Sequence, residues 1–349
     1  MSLQLSSQQY CAISLETVRN TAEMVPNIIL KISEDSVQLS KETELDEIVQ
    51  GDRDNNYDEV FTKRMVGGNL IGKISNKDIG QFLRLAMGGY PTPVTALGAT
   101  THTFRRTNLI SGVPTVALPT FTLFHSKGAD GHSKCRGCVI DELKITFGES
   151  ESNFEASVKG LDELSVTVAG EITNILAAIV YTAPDIKFNF GNIVVRHAVN
   201  VAGLPAGTVL NVKPDVAITI KNNVEYDMSS GSAPNIELTN FDTFARKFEA
   251  SIEISAFVRT STGVLRQAFL NGEKRAFQIE LQNQSGGVIG TSALFRTLRF
   301  TVPSALVRSE YDSSLNEAIA MNINLENLIN DVSVGYSFEA TLINDVATY

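Results

Sequence analysis

Residues 136–160, RGCVIDELKITFGESESNFEASVKG, carry the clearest β-hairpin pattern in the chain. Val139, Leu143, Ile145 and Phe147 share one face of the first arm, and Phe154, Ala156 and Val158 share one face of the second. Glu142, Lys144, Thr146, Asn153, Glu155, Ser157 and Lys159 fall opposite, the period of two expected of half-buried strands. Only Asp141 breaks the alternation. Residues 148–152 suit a short connection: a glycine that tolerates positive φ, then small and acidic residues that prefer water. A hairpin with one apolar face needs a second layer to cover it, and the rest of the chain must supply it.

On the amino-terminal side, Gly68, Leu70, Gly72 and Ile74 alternate as a strand, and DIGQFLRLAMGG (78–89) has helical spacing at Ile79, Phe82, Leu83, Ala86 and Met87, stopped by Gly88 and Gly89. Residues 27–33, NIILKIS, read as a strand. They lead into an acidic segment, 34–59, which contains ten carboxylates against Lys41 and Arg53. That composition predicts either a solvated loop or an arm that orders against a neighbouring molecule. Residues 113–124 read as another strand, with Pro114 and Pro119 placing it at an edge or a bend. Beyond the hairpin, 164–168, 175–181 and 193–201 are expected as further strands, before the link GLPAGTVLNVKPD (203–215).

The second half repeats the first in outline. Val216, Ile218 and Ile220 alternate as NIILKIS does, an acidic Ser/Gly-rich stretch follows, and 250–258 reads as a strand. Next comes GVLRQAFLNG (263–272), 183 positions after GQFLRLAMGG, with Gly80 matching Gly263, Phe82 matching Leu265 and Met87 matching Leu270. Leu298, Phe300 and Val302 are the expected counterpart of the first hairpin arm. Val332, Val334, Tyr336, Phe338, Ala340 and Leu342 are expected as the second, around an insertion at 304–331 with a helix-like centre at 315–321. The expected fold is mainly β, in two tandem domains, 1–182 with its acidic arm and 183–349 with its insertion, each holding one short helix.

The formal charge is −10, and both halves are acidic, at −6 up to residue 182 and −4 after it. A protein that grips nucleic acid phosphates needs clustered Lys and Arg, which this sequence lacks. Residues 1–16 have no basic start followed by an apolar run, and the longest apolar run, 175–181, is too short to span a bilayer. The expectation is assembly in a cytoplasm with no membrane binding. Three cysteines in a chain of 349 residues argue against a disulfide framework.

Residues 67–73 spell the phosphate-loop pattern GxxxxGK. The magnesium-liganding hydroxyl position is Ile74, and no buried strand and helix flank the loop, so a Gly-rich strand entry is expected instead of a nucleotide site. His125, His132, Cys135 and Cys138 lie within fourteen residues and are the candidates for zinc, but their spacing matches no known finger. The alternative is a loop with reduced, partly buried cysteines. No GxSxG or HExxH occurs, and Asp141 and Glu142 point to opposite sides of a strand. Neither an enzyme nor a bound cofactor is expected.

The 136–160 segment resembles the hairpin of tail tube proteins of long-tailed, siphovirus-type bacteriophages: a Gly-Cys-Val start, a spaced aliphatic strand, a small turn, and a Phe or Ser strand ending at Val-x-Gly. VAITIKNNVEYD (216–227) is similar to that family's strand and Asn-rich turn, and TLRFTVPSALV (297–307) to its aliphatic strand ending at proline. The likeness runs from Ile28 to Ile343. Cys135 and the 304–331 insertion depart from it. It implies a structural role for Cys138. It also implies a virion protein without catalysis, whose strands join between subunits into a ring barrel, and whose stacked rings form the conduit for the genome. Implied partners are the tail terminator, the tail tip and a tape measure protein inside the tube, with DNA passing transiently. Two tandem copies suggest trimeric, pseudo-hexameric rings, with a hexamer as the alternative. A tail terminator, decoration protein or adhesin, or a metal- or nucleotide-dependent enzyme, are the rival readings.

Overall fold

A computed structural model of the chain describes residues 10–47, 56–106, 118–126, 131–149, 151–179, 186–214, 216–227, 242–312, 319–326, 328, 331 and 333–349. The first half begins with β1 (Tyr10–Leu15), β2 (Ile28–Ile29) and β3 (Ile32–Asp35), then the long hairpin of β4 (Gln38–Glu47) and β5 (Asn56–Lys73). The acidic 34–59 segment is thus a β-hairpin in its described part, not a loop; residues 48–55 lie outside the described residues. Its Thr, Leu and Val content supports strands despite the charge. α1 (Asp78–Met87) follows as the spacing predicts; just ahead of it, the Ser75 hydroxyl accepts the Asp78 N–H at 3.0 Å. Gly88, at φ +76°, ends it.

After α1 come β6 (Gly88–Gly89), β7 (Val94–Ala96), β8 (Ala99–Arg106), β9 (Phe121–Ser126), β10 (His132–Phe147), β11 (Ser152–Gly160) and β12 (Asp162–Ser165). β9 is no edge strand, since β1 and β10 pair on its two sides; it starts after Pro119, and Pro114 lies outside the described residues. The run 175–181, expected as a strand, falls in a helix, α2 (Ala169–Ala178), and its last two residues are not described. Ala-rich ends and a buried Ile175 among Tyr10, Ala12, Phe124 and Val166 favour that helix; a short apolar run does not distinguish the two states by itself.

The second half contains β13 (Ile193–Ala198), β14 (Thr208–Leu210), β15 (Val216–Lys221), β16 (Val224–Asp227), β17 (Asp242–Ala245), β18 (Glu249–Phe257), α3 (Thr260–Leu270), β19 (Lys274–Val288), β20 (Phe295–Asp312), β21 (Ala320–Glu326) and β22 (Glu339–Asn344). The insertion expected to be helical at its centre is a β-hairpin: β20 runs on to Asp312 and returns as β21, while 313–318 lie outside the described residues. Met321, Ile323 and Leu325 point inward between Asn322, Asn324 and Glu326, a period of two. The expected strand over 332–342 is a strand only from Glu339; Val334 and Gly335 form a turn, closed by N–H bonds from both to the Asp331 carbonyl.

The decisive hairpin carries one irregularity, at Asp141. Ile140 faces Val158 and Glu142 faces Ser157, so Asp141 is a β-bulge. The bulge moves Val139 off the inner face, where it packs with Leu118, Val224 and Ala245, and places Ile140 in line with Leu143, Ile145 and Phe147.

The strand pairings of the two halves correspond with one break, since β5 of the first half is matched by two strands, β18 and β17, and the β16–β17 pair forms a sheet of its own. β1–β2, β1–β9, β9–β10, β10–β12, β10–β11, β11–β5, β5–β3 and β5–β4 recur as β13–β14, β13–β19, β19–β20, β20–β22, β20–β21, β21–β18, β18–β15 and β17–β16. Each half therefore builds an inner four-strand set, β3-β5-β11-β10 or β15-β18-β21-β20, and an outer sheet sharing its long strand, β10 or β20. β8 has no counterpart in the second half; it pairs with β22 and extends the second outer sheet. One apolar core fills the space between the layers.

Candidate functional site

Two places stand out: the join between the inner strand sets, and a polar cluster buried in the first outer sheet. At the join, the carboxy-terminal half of β10 pairs antiparallel with β15, residues 142–147 against 221–216, fusing two four-strand sets into one eight-strand sheet. The turn after β15 is seated on the β10 bulge. Asn222 is fully buried, and its side-chain amide donates to the carbonyls of Ala86 and Ile140, each at 2.9 Å. The Asp141 carboxylate accepts the Val224 N–H at 2.6 Å and pairs with Lys159 at 2.9 Å. The residue that broke the sequence alternation is thus what anchors the next unit.

The eight-strand sheet is open. Among the described residues, no pairing covers the outer edge of β3, or the edge of β20 beyond Leu306 that faces away from β21. These two ends are the topological equivalents of β15 and of the end of β10, the two strands that pair at the internal join. Close packing continues at the β3 end. Gly68, at φ +152°, lies so near the β3–β4 corner that a Cβ would come within 2.5 Å of the Ser36 carbonyl oxygen.

In the first outer sheet, strand register brings together His125 of β9, Cys135 of β10 and Glu163 of β12, with Asp35 of β3 behind them. Cys135 sits opposite Glu163, and Cys11 opposite His125. His125 Nδ1 is 2.9 Å from an Asp35 carboxylate oxygen; its Nε2 is 3.5 Å from Glu163 Oε1 and 4.0 Å from Cys135 Sγ. The other Glu163 oxygen accepts the Leu39 N–H at 3.0 Å, tying the root of the β4–β5 hairpin to the cluster. Burial alone would lower the His125 pKa, but its hydrogen bonds to Asp35, Cys135 and Glu163 outweigh that and raise it to about 11. The bond from His125 holds Glu163 down at about 2. Burial pushes the Cys135 thiol up, only partly offset by His125.

Of the four residues singled out by sequence, only His125 and Cys135 belong to this cluster. His132 faces the other side of the sheet, bonded through Nδ1 to Tyr10 OH at 3.0 Å and stacked on that ring. Cys138 lies past a register shift; its thiol donates to the Cys135 carbonyl and packs near Gly160, a structural position. Asp35 and Glu163 were invisible as partners, because their approach depends on which strand lies beside which.

A family model described as phage tail tube protein matches residues 6–341 of the chain. The chain belongs to that family. No curated protein matches it. The chain is accordingly a structural component of the phage virion tail, from a family of structural, non-enzymatic kind, with a mainly β fold whose sheet stays open in the single chain. No helix among its described residues is long and apolar enough to cross a membrane. Its GxxxxGK stretch lies inside β5, where residues 67–73 are laddered to β11 and cannot fold round a phosphate; Lys73 pairs with Glu151. The exposed side of the inner sheet alternates charge across strands. Lys221 meets Glu142 at 3.1 Å, Arg308 meets Glu326 at 3.0 Å, and Lys144 lies opposite Glu155.

Proposed function

We propose that the chain polymerises into stacked rings that conduct the genome from capsid to host cell, and that one chain supplies two tube units, divided near residue 182. The observation that supports this reading is the internal join. A strand end on β10 and a strand edge on β15 pair within the chain, and the same two elements, β20 and β3, are left open at the ends of its sheet. Unpaired edges are a liability in a monomer. A second chain that repeats the internal pairing at β20 and β3 removes both and closes a barrel when the rotation is right.

With two units per chain, three chains complete a pseudo-hexameric ring. The exposed side of the inner sheet then lines the bore. Its cations stand opposite carboxylates, and Glu253 faces Ala217 and Asn324 with no cation opposite it, so the wall is net acidic or neutral and DNA passes without being held. The β4–β5 hairpin projects from the ring end of the sheet and contacts an adjacent subunit, in the same ring or the next. Terminator and tip proteins bind the tube ends, and a tape measure protein occupies the bore before ejection. Assembly takes place in the host cytoplasm.

The test is the mass of one ring from purified protein, with electron microscopy of the product. Three times 37.9 kDa and tubes of stacked rings are expected. Six chains per ring with strict six-fold symmetry would overturn the tandem arrangement, and failure to form rings at all would overturn the conduit. Deleting 50–58 should leave folded, soluble chain that stacks poorly; normal tube formation would make the hairpin tip a surface feature only.

A further inference from the structure

We propose that the first unit binds one zinc ion between His125 Nε2, Cys135 Sγ and a Glu163 carboxylate oxygen, with Asp35 orienting the imidazole from behind. Four observations carry this, none of which depends on ring assembly. The first is distance. Zinc bond lengths of about 2.0–2.3 Å in tetrahedral geometry place nitrogen and oxygen ligands about 3.4 Å apart, and nitrogen and sulfur about 3.6 Å apart. Here those separations are 3.5 and 4.0 Å, and the three ligand atoms lie within 4.8 Å of one another. Small rotamer adjustments close the site.

The second is the imidazole's other side. A zinc-bound histidine characteristically donates its second ring N–H to a carboxylate, which fixes the tautomer and leaves the metal-facing nitrogen as a ligand. Asp35 stands 2.9 Å from Nδ1, and Nε2 is the atom turned toward Cys135 and Glu163. The third is the thiol. An ion pair between an imidazolium and two carboxylates has no use for a fully buried cysteine, whereas thiolate, imidazole and carboxylate together select a borderline-soft dication. Cys11 lies opposite His125 on the neighbouring strand, but the ligand atoms that converge are those of His125, Cys135 and Glu163 alone among the described residues.

The fourth is the second unit. On the corresponding strands β19, β20 and β22, the buried residues Ile279, Leu281, Leu298, Phe300, Ala340 and Leu342 are apolar. The fold does not require polar ligands there. Binding releases the Cys135 thiol proton and the proton on His125 Nε2 to solvent, leaving a thiolate and a neutral imidazole on the metal.

The experiment uses tag-free full-length chain. Metal content is measured by mass spectrometry, and cobalt is titrated into metal-stripped protein while the thiolate-to-cobalt charge-transfer band is followed. One zinc per chain and a cobalt–thiolate band are expected. Cys135→Ser should abolish the band, whereas Cys138→Ser, equally buried but outside the cluster, should keep it. Asp35→Asn, which removes no ligand, should weaken zinc affinity about 10–100-fold. Should Cys135→Ser not fold, Glu163→Gln at its half-buried site carries the comparison through its loss of affinity. Absence of both zinc and the band in the parent protein, a band that survives in Cys135→Ser, or unchanged affinity in Asp35→Asn or Glu163→Gln would each overturn the site.

Discussion

The two halves of this chain pair their strands in the same order, yet they fill the same place in the outer sheet with opposite chemistry. On the corresponding strands of the second half, β19, β20 and β22, the buried residues Ile279, Leu281, Leu298, Phe300, Ala340 and Leu342 are apolar. In the first half that place holds Cys11, His125, Cys135 and Glu163, with Asp35 against the ring. Shared topology with divergent filling separates what the fold demands from what was added to it. The demand is for packed volume. The sharpest break of the comparison is therefore Phe300→Ala, because that ring packs 6.0 Å from Phe338 and 6.5 Å from Phe147 and bridges the inner and outer layers. Its loss should cost about 3–5 kcal/mol, read as a shift in the urea midpoint at constant m-value.

Metal removal should come next in size. If zinc bridges the first-half cluster, free zinc at a hundredfold excess over its dissociation constant adds about 2.7 kcal/mol to stability. The melting temperature should rise with zinc and fall with a chelator, and neither should move in Cys135→Ser. A chelator-insensitive parent chain would mean that the polar filling works through hydrogen bonds alone.

His125→Ala in stripped protein sharpens the same point. It strands Asp35 and Glu163 without their shared donor, at a cost of about 1.5–3 kcal/mol. Replacing the set together, His125→Leu with Asp35→Asn and Glu163→Gln, should recover most of that loss, since an apolar filling already serves the second half. If the triple variant were less stable than His125→Ala, the cluster would be a requirement of the fold after all.

How far the sequence could show this follows from range. The 136–160 hairpin, α1, α3 and the relation between the halves are carried by periodicities and spacings within ten or twenty residues, and these were legible. The β4–β5 hairpin was not, because ten carboxylates disguised a strand pattern whose stability comes from pairing. The start of β21 looks helical in the sequence because Met321 and its neighbours are apolar at either period over so short a run. Asp141 is visible in the sequence as an irregularity, but its role rests on Asn222 and Val224, about 80 residues away in the chain. The cluster is the same case. His125 and Cys135 were in view, whereas Asp35 and Glu163 come from strands whose neighbours only register decides.

The smallest expected effect concerns a clasp between the halves that has no twin. Arg19, in the loop after β1, donates through Nε to Asp242 of β17 at 3.0 Å and through Nη1 to the Leu118 carbonyl at 2.8 Å; Asn20 adds a bond to the same carboxylate at 3.1 Å. The corresponding loop after β13 instead closes on itself, Asn200 accepting the Gly203 N–H. Burial would raise the Asp242 pKa, but the bonds from Arg19, Asn20 and the Thr243 N–H outweigh it, so the net direction is down. A carboxylate lowered by folding contributes stability that is present above its unfolded value, near 3.8, and is lost as pH falls through the folded value. Asp242→Asn should thus cost about 1 kcal/mol or less at neutral pH, because both partners are partly exposed. The gap between variant and parent should narrow as pH drops below that value. A gap that stays constant into acid would assign the clasp to hydrogen-bond geometry and not to charge.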